Sequence, residues 1–311
     1  MRKTLFTLLV GLLAATGAAA QDTGTTQEPR PMTVDDALDL VNVGNGVMSP
    51  DGEWVLYTVA ARDMNDDELP RHTHPYRVRV DGPGGRQLPR GDSSVGSPEW
   101  FPSGEQLAFL RGADDERQVY AMYTDGGEAW QVTESAEGVS SYGLSPDGSK
   151  IWFVASDPET ADQKRRTEQH DDAVVVDSEY RFSHLWVHDM ETGGSARLTE
   201  GDFTVSDPRW SPDSTRIAFV ARPTTKVNDG WNSDIRVADV AAGGSRVLFE
   251  NPGPDSSPRW SPDGSKIAFT ANTHTGTTVW HSKLYLLPAE GGGAPEILLE
   301  DFDLNAGAPI W

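Results

Sequence analysis

Acyl transfer to a serine needs the nucleophile on a sharp strand-to-helix turn, Gly-x-Ser-x-Gly, with a histidine and an acid brought to it by the fold. The 311-residue chain has no such pentapeptide. Its nearest approaches, Gly194-Ser195-Ala196-Arg197 and Gly244-Ser245-Arg246-Val247, lack both the spacing and the setting. Asp63, Asn65 and Asp67 have the spacing of a calcium loop. The sixth position is Glu68, where the sharp turn needs glycine, and the twelfth is His74, where a bidentate glutamate is needed. These residues read as a solvated acidic loop. His72 and His74 have no third ligand nearby, and a zinc site needs at least three. The sequence therefore assigns no catalytic, cofactor-binding or metal-binding residue, and no cofactor is expected.

What would position such groups is a chain of short strands. Gly 31, Pro 21 and Trp 10 suit many turns joining aromatic-bearing strands. Internal repetition is the strongest signal. Ser-Pro-Asp-Gly occurs at Ser49 to Gly52, Ser145 to Gly148 and Ser261 to Gly264. Variants stand at Phe101-Pro102-Ser103-Gly104 and Ser211-Pro212-Asp213-Ser214. The motif prolines at 50, 102, 146, 212 and 262 are 52, 44, 66 and 50 residues apart, the period of a propeller blade. Proline presets φ, aspartate bonds nearby backbone, and glycine accepts the left-handed conformation that rejoins a strand. Apolar runs such as Ile217-Ala218-Phe219-Val220 and Ile267-Ala268-Phe269-Thr270 follow the turns. Pro98-Glu99-Trp100, Pro208-Arg209-Trp210 and Pro258-Arg259-Trp260 lead into them, each Trp placed to pack between blades. Third strands follow at Gln118 to Tyr123, His184 to Asp189, Ile235 to Val240 and Leu284 to Leu287, each before a Gly-rich turn.

The expected fold is all-β, a β-propeller of four-stranded blades at about 45–90, 95–134, 139–200, 204–250 and 254–300. Pro309-Ile310-Trp311 starts a sixth blade, so the reading is five complete blades and an incomplete ring. Residues 1–20, with Arg2 and Lys3, an apolar run and Ala18-Ala19-Ala20, read as a signal peptide. The expected location is periplasmic or extracellular, with no membrane association after cleavage. Residues 21–44 read as a linker with a short helix, Val34 to Val41, capped by Thr33, and 45–311 as the partial propeller. Net charge is −22 and cysteine is absent, which excludes a disulfide framework and a nucleic-acid partner. With only six lysines, the balance fits a salt-tolerant source or simply an acidic secreted protein.

The order of signal peptide, Thr33-x-Asp35 helix and immediate Ser-Pro-Asp-Gly repeats resembles the acylaminoacyl-peptidase and dipeptidyl-peptidase-like branch of the prolyl oligopeptidase family. Gly138-Val139-Ser140-Ser141, His184-Leu185-Trp186-Val187-His188-Asp189 and Leu198-Thr199-Glu200-Gly201-Asp202 agree, and the resemblance covers about residues 32–311. It implies a substrate-gating propeller stacked on a C-terminal α/β-hydrolase domain with a Ser, Asp, His triad. That domain is absent from this chain. Peptides would be substrates of the intact serine peptidase, and its own hydrolase domain would be the partner of the propeller. No Glu-Glu pair is present to hold a substrate's free amino end. The alternative is a non-catalytic, periplasmic Tol-associated propeller binding a protein or carbohydrate. There an α/β domain normally comes first, whereas only about 25 residues separate the expected cleavage point from the first repeat here. The segment Asp157 to Phe182, with Lys164-Arg165-Arg166 and Asp171-Asp172, interrupts the blade pattern and reads as an exposed decoration or as a loop that projects toward the hydrolase domain or lines the entrance.

Overall fold

The computed structural model describes residues 30–44, 46–63, 70–89, 94–112, 116–169, 181–224, 226–272, 281–298 and 300–311. Residues 1–20, the expected signal peptide, lie outside them, as do Asn65, Asp67, Glu68, Asp171 and Asp172. The chain divides into two units, Met1–Leu38 and Asp39–Trp311.

In the first unit, helix α1 (Val34–Leu38) is capped reciprocally: Asp36 N–H donates to Thr33 Oγ1 at 3.2 Å, and Thr33 N–H donates to the Asp36 carboxylate at 2.8 Å. An ion pair with Arg30, then Thr33, holds the Asp36 carboxyl well below the usual carboxylate range. The helix stops at Leu38 and not at Val41. Asn42 and Val43 pair with Ala60 and Val59, so the chain must already be extended there.

Among the described residues, the second unit is an all-β fold of five antiparallel sheets, each laid down in chain order. In the first, Asn42–Val43 (β1) and Val47–Met48 (β2) share one position beside Trp54–Arg62 (β3), followed by Arg71–Arg79 (β4) and Arg86–Gln87 (β5). The second comprises Val95–Trp100 (β6), Gln106–Arg111 (β7), Gln118–Tyr123 (β8) and Trp130–Gln131 (β9). The third has Ser141–Leu144 (β10), Lys150–Ser156 (β11), Ser183–Asp189 (β12) and Ser195–Arg197 (β13), with helix α2 (Ala161–Glu168) between its second and third strands. Thr204–Trp210 (β14), Arg216–Arg222 (β15), Asp234–Asp239 (β16) and Ser245–Phe249 (β17) form the fourth. The fifth is Asp255–Trp260 (β18), Lys266–Ala271 (β19), Lys283–Pro288 (β20) and Glu296–Leu298 (β21). This is the four-stranded blade arrangement of a β-propeller.

Period-2 alternation explains how the sheets stack. On β15, Ile217, Phe219 and Ala221 enter the apolar cluster shared with the third sheet. Ala218 and Val220 enter the one shared with the fifth. On β11, Ile151, Phe153 and Ala155 face the second sheet, and Trp152 and Val154 face the fourth. A second strand thus supplies two seams at once, which is why β11 is apolar and buried from Ile151 to Ala155 while the three residues of the outermost strand β13 are exposed.

The turn motif is a compact hydrogen-bonded hub. The hydroxyls of Ser49, Ser145, Ser211 and Ser261 donate to Asp51, Asp147, Asp213 and Asp263 at 2.5–2.6 Å. The same hydroxyls accept the backbone N–H of Trp54, Lys150, Arg216 and Lys266 at 2.9 Å. Bonds from Ser261 and from Ser265 N–H hold Asp263 at about 2. Burial pushes Asp147 up, but bonds from Ser145 and Ser149 outweigh it and hold that carboxyl also at about 2. In the second sheet Phe101 takes the serine position and is buried instead. Successive turns also touch. Gly148 sits at φ 72°, and a Cβ there would lie 3.2 Å from Pro102 Cδ of the preceding sheet. Gly148→Ala is expected to cost about 1–3 kcal/mol in urea denaturation, and an unchanged midpoint would refute this account of the turn.

Candidate functional site

The residue before each turn aromatic occupies one equivalent place on successive first strands. Indole Nε1 of Trp100, Trp210, Trp260 and Trp311 donates to the carbonyl at this place in the preceding sheet: Val47, Gly143, Arg209 and Arg259, at 3.0–3.1 Å. Trp100, Trp210 and Trp260 are therefore both packing groups and donors that set neighbouring first strands in register, and Trp311 makes the same bond while half exposed. In the third sheet Leu144 replaces the tryptophan, and its N–H donates to Glu99 Oε2 at 3.4 Å. Gly143 has no room for a side chain, since a Cβ would lie 2.7 Å from the Trp152 ring.

Ser97, Asp207 and Ser257, each before a proline, have φ of 49°, 46° and 57°, and each marks a bulge where the register shifts. Left-handed backbone at a non-glycine residue is costly and re-aims the side chains beside it. The third sheet has no proline here and pairs regularly. Its Tyr142 hydroxyl instead donates to Ser97 O at 2.5 Å and ties down the bulge of the second sheet.

These bulges gather charge. Asp207 bridges Arg209, at 2.5 Å, and Arg259, at 3.2 Å. Arg259 also donates to Pro258 O at 2.7 Å. Burial pushes the Glu99 carboxyl up to about 7, against the Leu144 N–H and Arg209. Burial likewise presses the Arg209 guanidinium down, with Asp207 opposing. Arg209 Nε is buried and without a hydrogen-bond partner among the described residues. The cluster brings together two guanidinium groups, the Asp207 carboxyl that bridges them and, in Glu99, a carboxyl that titrates near neutrality. It is a set for binding charge, with no histidine base.

The residues weighed from sequence fall elsewhere. His72 and His74 share one face of β4 with stacked rings 6.3 Å apart. Among the described residues no three His, Cys, Asp or Glu side chains are placed to hold one metal ion. Ser195 opens an outer strand, its Oγ 2.9 Å from His188 Nδ1, and Ser245 Oγ accepts from Arg236 Nε at 3.2 Å. Both serines join strand to strand. Of the segment Asp157 to Phe182, the described part carries α2, where Asp162 pairs with Arg165 and, at 3.3 Å, with Arg166.

Sequence reasoning missed the knot at the base of that segment. Asp157 N–H donates to Phe182 O at 2.7 Å, and the Asp157 carboxylate lies 3.0 Å from Arg197 and 3.4 Å from the buried His184 Nε2. Burial, then Arg197, pushes the His184 imidazole below its ordinary range, with Asp157 opposing. The charged cluster was missed as well. Its one trace in the sequence is that Glu99, Arg209 and Arg259 hold the same place in three repeats.

A family profile described as the TolB beta propeller domain matches residues 170–304. Dipeptidyl-peptidase 5 of Porphyromonas endodontalis is 26% identical over 266 residues, spanning 76% of this chain and 38% of that protein. Among solved structures, the acylaminoacyl peptidase of Pyrococcus horikoshii superposes with a TM-score of 0.62 at 16% identity, over 86% of this chain and 41% of that one. A putative TolB from Agrobacterium tumefaciens does so with a TM-score of 0.53 at 19% identity, over 82% of this chain and 80% of that one. The chain thus spans well under half of the dipeptidyl-peptidase that it matches.

Proposed function

From a propeller related in sequence to part of dipeptidyl-peptidase 5, and sharing its fold with part of an acylaminoacyl peptidase, we propose the substrate-gating module of an exported serine peptidase. The observation that carries this is the alignment over 266 residues, most of the propeller. Peptides would pass the first strands to reach a serine, histidine and acid held in a hydrolase domain elsewhere in the protein, which would perform acyl transfer. The propeller would contribute selection by size and charge, admitting short or unfolded peptides and sparing folded proteins.

Two arms test it. The whole gene product, recovered outside the cytoplasm with Gln21 at its N-terminus, should hydrolyse short fluorogenic peptides, lose that activity to a serine-reactive inhibitor, and leave folded proteins intact. The 311-residue chain alone should not hydrolyse them. Turnover by this chain, or an inert whole product, would sink the proposal. The second outcome would favour a non-catalytic binding propeller, the reading supported by the TolB profile and by an overlap that takes in 80% of the Agrobacterium chain.

A further inference from the structure

We propose that the cluster of Arg209, Asp207 and Arg259 receives one external carboxylate, that of a peptide ligand, on the guanidinium N–H donors that Asp207 leaves open. Calling the ligand a peptide rests on the peptidase reading; the carboxylate chemistry does not.

The chain has 48 acidic residues to 26 basic ones, and elsewhere Arg79, Arg181, Arg197 and Arg216 each pair with a carboxylate. Here two arginines share one aspartate. A guanidinium has five N–H donors in a planar fork suited to carboxylate. Among the described residues, partners are found for Nη2 of Arg209 and Nη1 of Arg259, and the other donors of both have none. The side chains of Arg209 and Arg259 are 43% and 28% exposed, so a ligand can reach them.

Geometry keeps the excess positive charge from being cancelled from within. Asp207 is fixed by a left-handed bulge, and Glu99, the other carboxyl near Arg209, is pushed toward its protonated form by burial. Glu99 is faced by Arg209, the Tyr142 hydroxyl and the Leu144 N–H, and it is largely protonated below about pH 7. In that form the cluster carries one spare positive charge. Once Glu99 ionises, the spare charge is gone and an incoming carboxylate meets a second anion.

The test titrates the 311-residue chain calorimetrically with three acetylated tripeptides: one with a free C-terminal carboxylate, its amide, and an amide with a central glutamate. Binding of the free acid should weaken about ten-fold or more on amidation, and similarly in Arg259→Gln. It should also weaken several-fold from about pH 6 to about pH 8.5, an effect missing in Glu99→Gln. Recovery by the glutamate peptide would identify an acidic side chain as an equivalent source; no recovery would restrict the site to chain ends. Asp207→Asn should tighten binding, a gain that damaged folding cannot produce, and asparagine tolerates the left-handed backbone. Equal affinity for acid and amide, or an Asp207→Asn variant that binds no better, would overturn the proposal. None of these readings requires hydrolysis. A chain that binds carboxylates within an inert whole product would sink the peptidase reading alone.

Discussion

Phe219→Ala is expected to lower stability by about 3–5 kcal/mol, the range for truncating a fully buried aromatic without collapse of the cavity. Phe219 has no exposed surface and lies on β15, whose neighbours on both faces are other sheets. It stacks on Phe203 at 6.3 Å and packs among Trp152, Leu185 and Val205, so its loss opens the seam between the third and fourth sheets. Backbone pairing of β15 with β14 and β16 holds the walls of the cavity apart and limits relaxation. The urea midpoint should fall while the slope stays constant. Val247→Ala, on an outer strand and 41% exposed, should stay within about 0.5 kcal/mol of the parent. Equal losses from the two substitutions would show that the seams are not where stability is concentrated.

The second large effect concerns pH. Asp255 is fully buried at the start of β18; Asn251 donates to one carboxylate oxygen, and the other has no partner among the described residues. Burial, with Asp234 adding to it, pushes its carboxyl up to about 8. The folded chain therefore keeps a proton that the unfolded chain releases near pH 4. The stability this gives is fully present below about pH 4 and is lost as pH rises through about 8, by up to about 1.4 kcal/mol per pH unit. Glu99, pushed up to about 7, acts in the same direction over a narrower window. Asp147 and Asp263, held at about 2, work in the opposite sense: their stabilisation is present above about pH 4 and is lost as pH falls through about 2. Stability should therefore decline from about pH 5 to about pH 8.5. Asp255→Asn should remove much of that decline and exceed the parent by on the order of 2–4 kcal/mol at the alkaline end. Parallel pH profiles for the two proteins would count decisively against a buried, protonated Asp255.

Much of the fold was legible because its rules act over a few residues. Proline, aspartate and glycine in fixed order specify a turn, and two-residue alternation specifies a strand with two faces. The third strand expected at Gln118 to Tyr123 is found at Gln118–Tyr123, and Trp311 enters the same hydrogen bond as Trp100, Trp210 and Trp260. Where local signals were weak, the reading went too far. Helix α1 ends three residues early because β1 claims the following segment. The serine of the turn motif has a role that the consensus alone does not show: its hydroxyl connects the aspartate to the returning strand.

By itself the sequence determined the period, the turns and the apolar strands that follow them, since each follows from the chemistry of near neighbours along the chain. Only the tertiary structure decided that Glu99, Arg209 and Arg259, far apart in sequence, stand together around Asp207. Their meeting depends on the register between separate sheets, which indole-to-carbonyl bonds and bulges set. Their charge states depend on burial, which no stretch of chain has until the sheets pack.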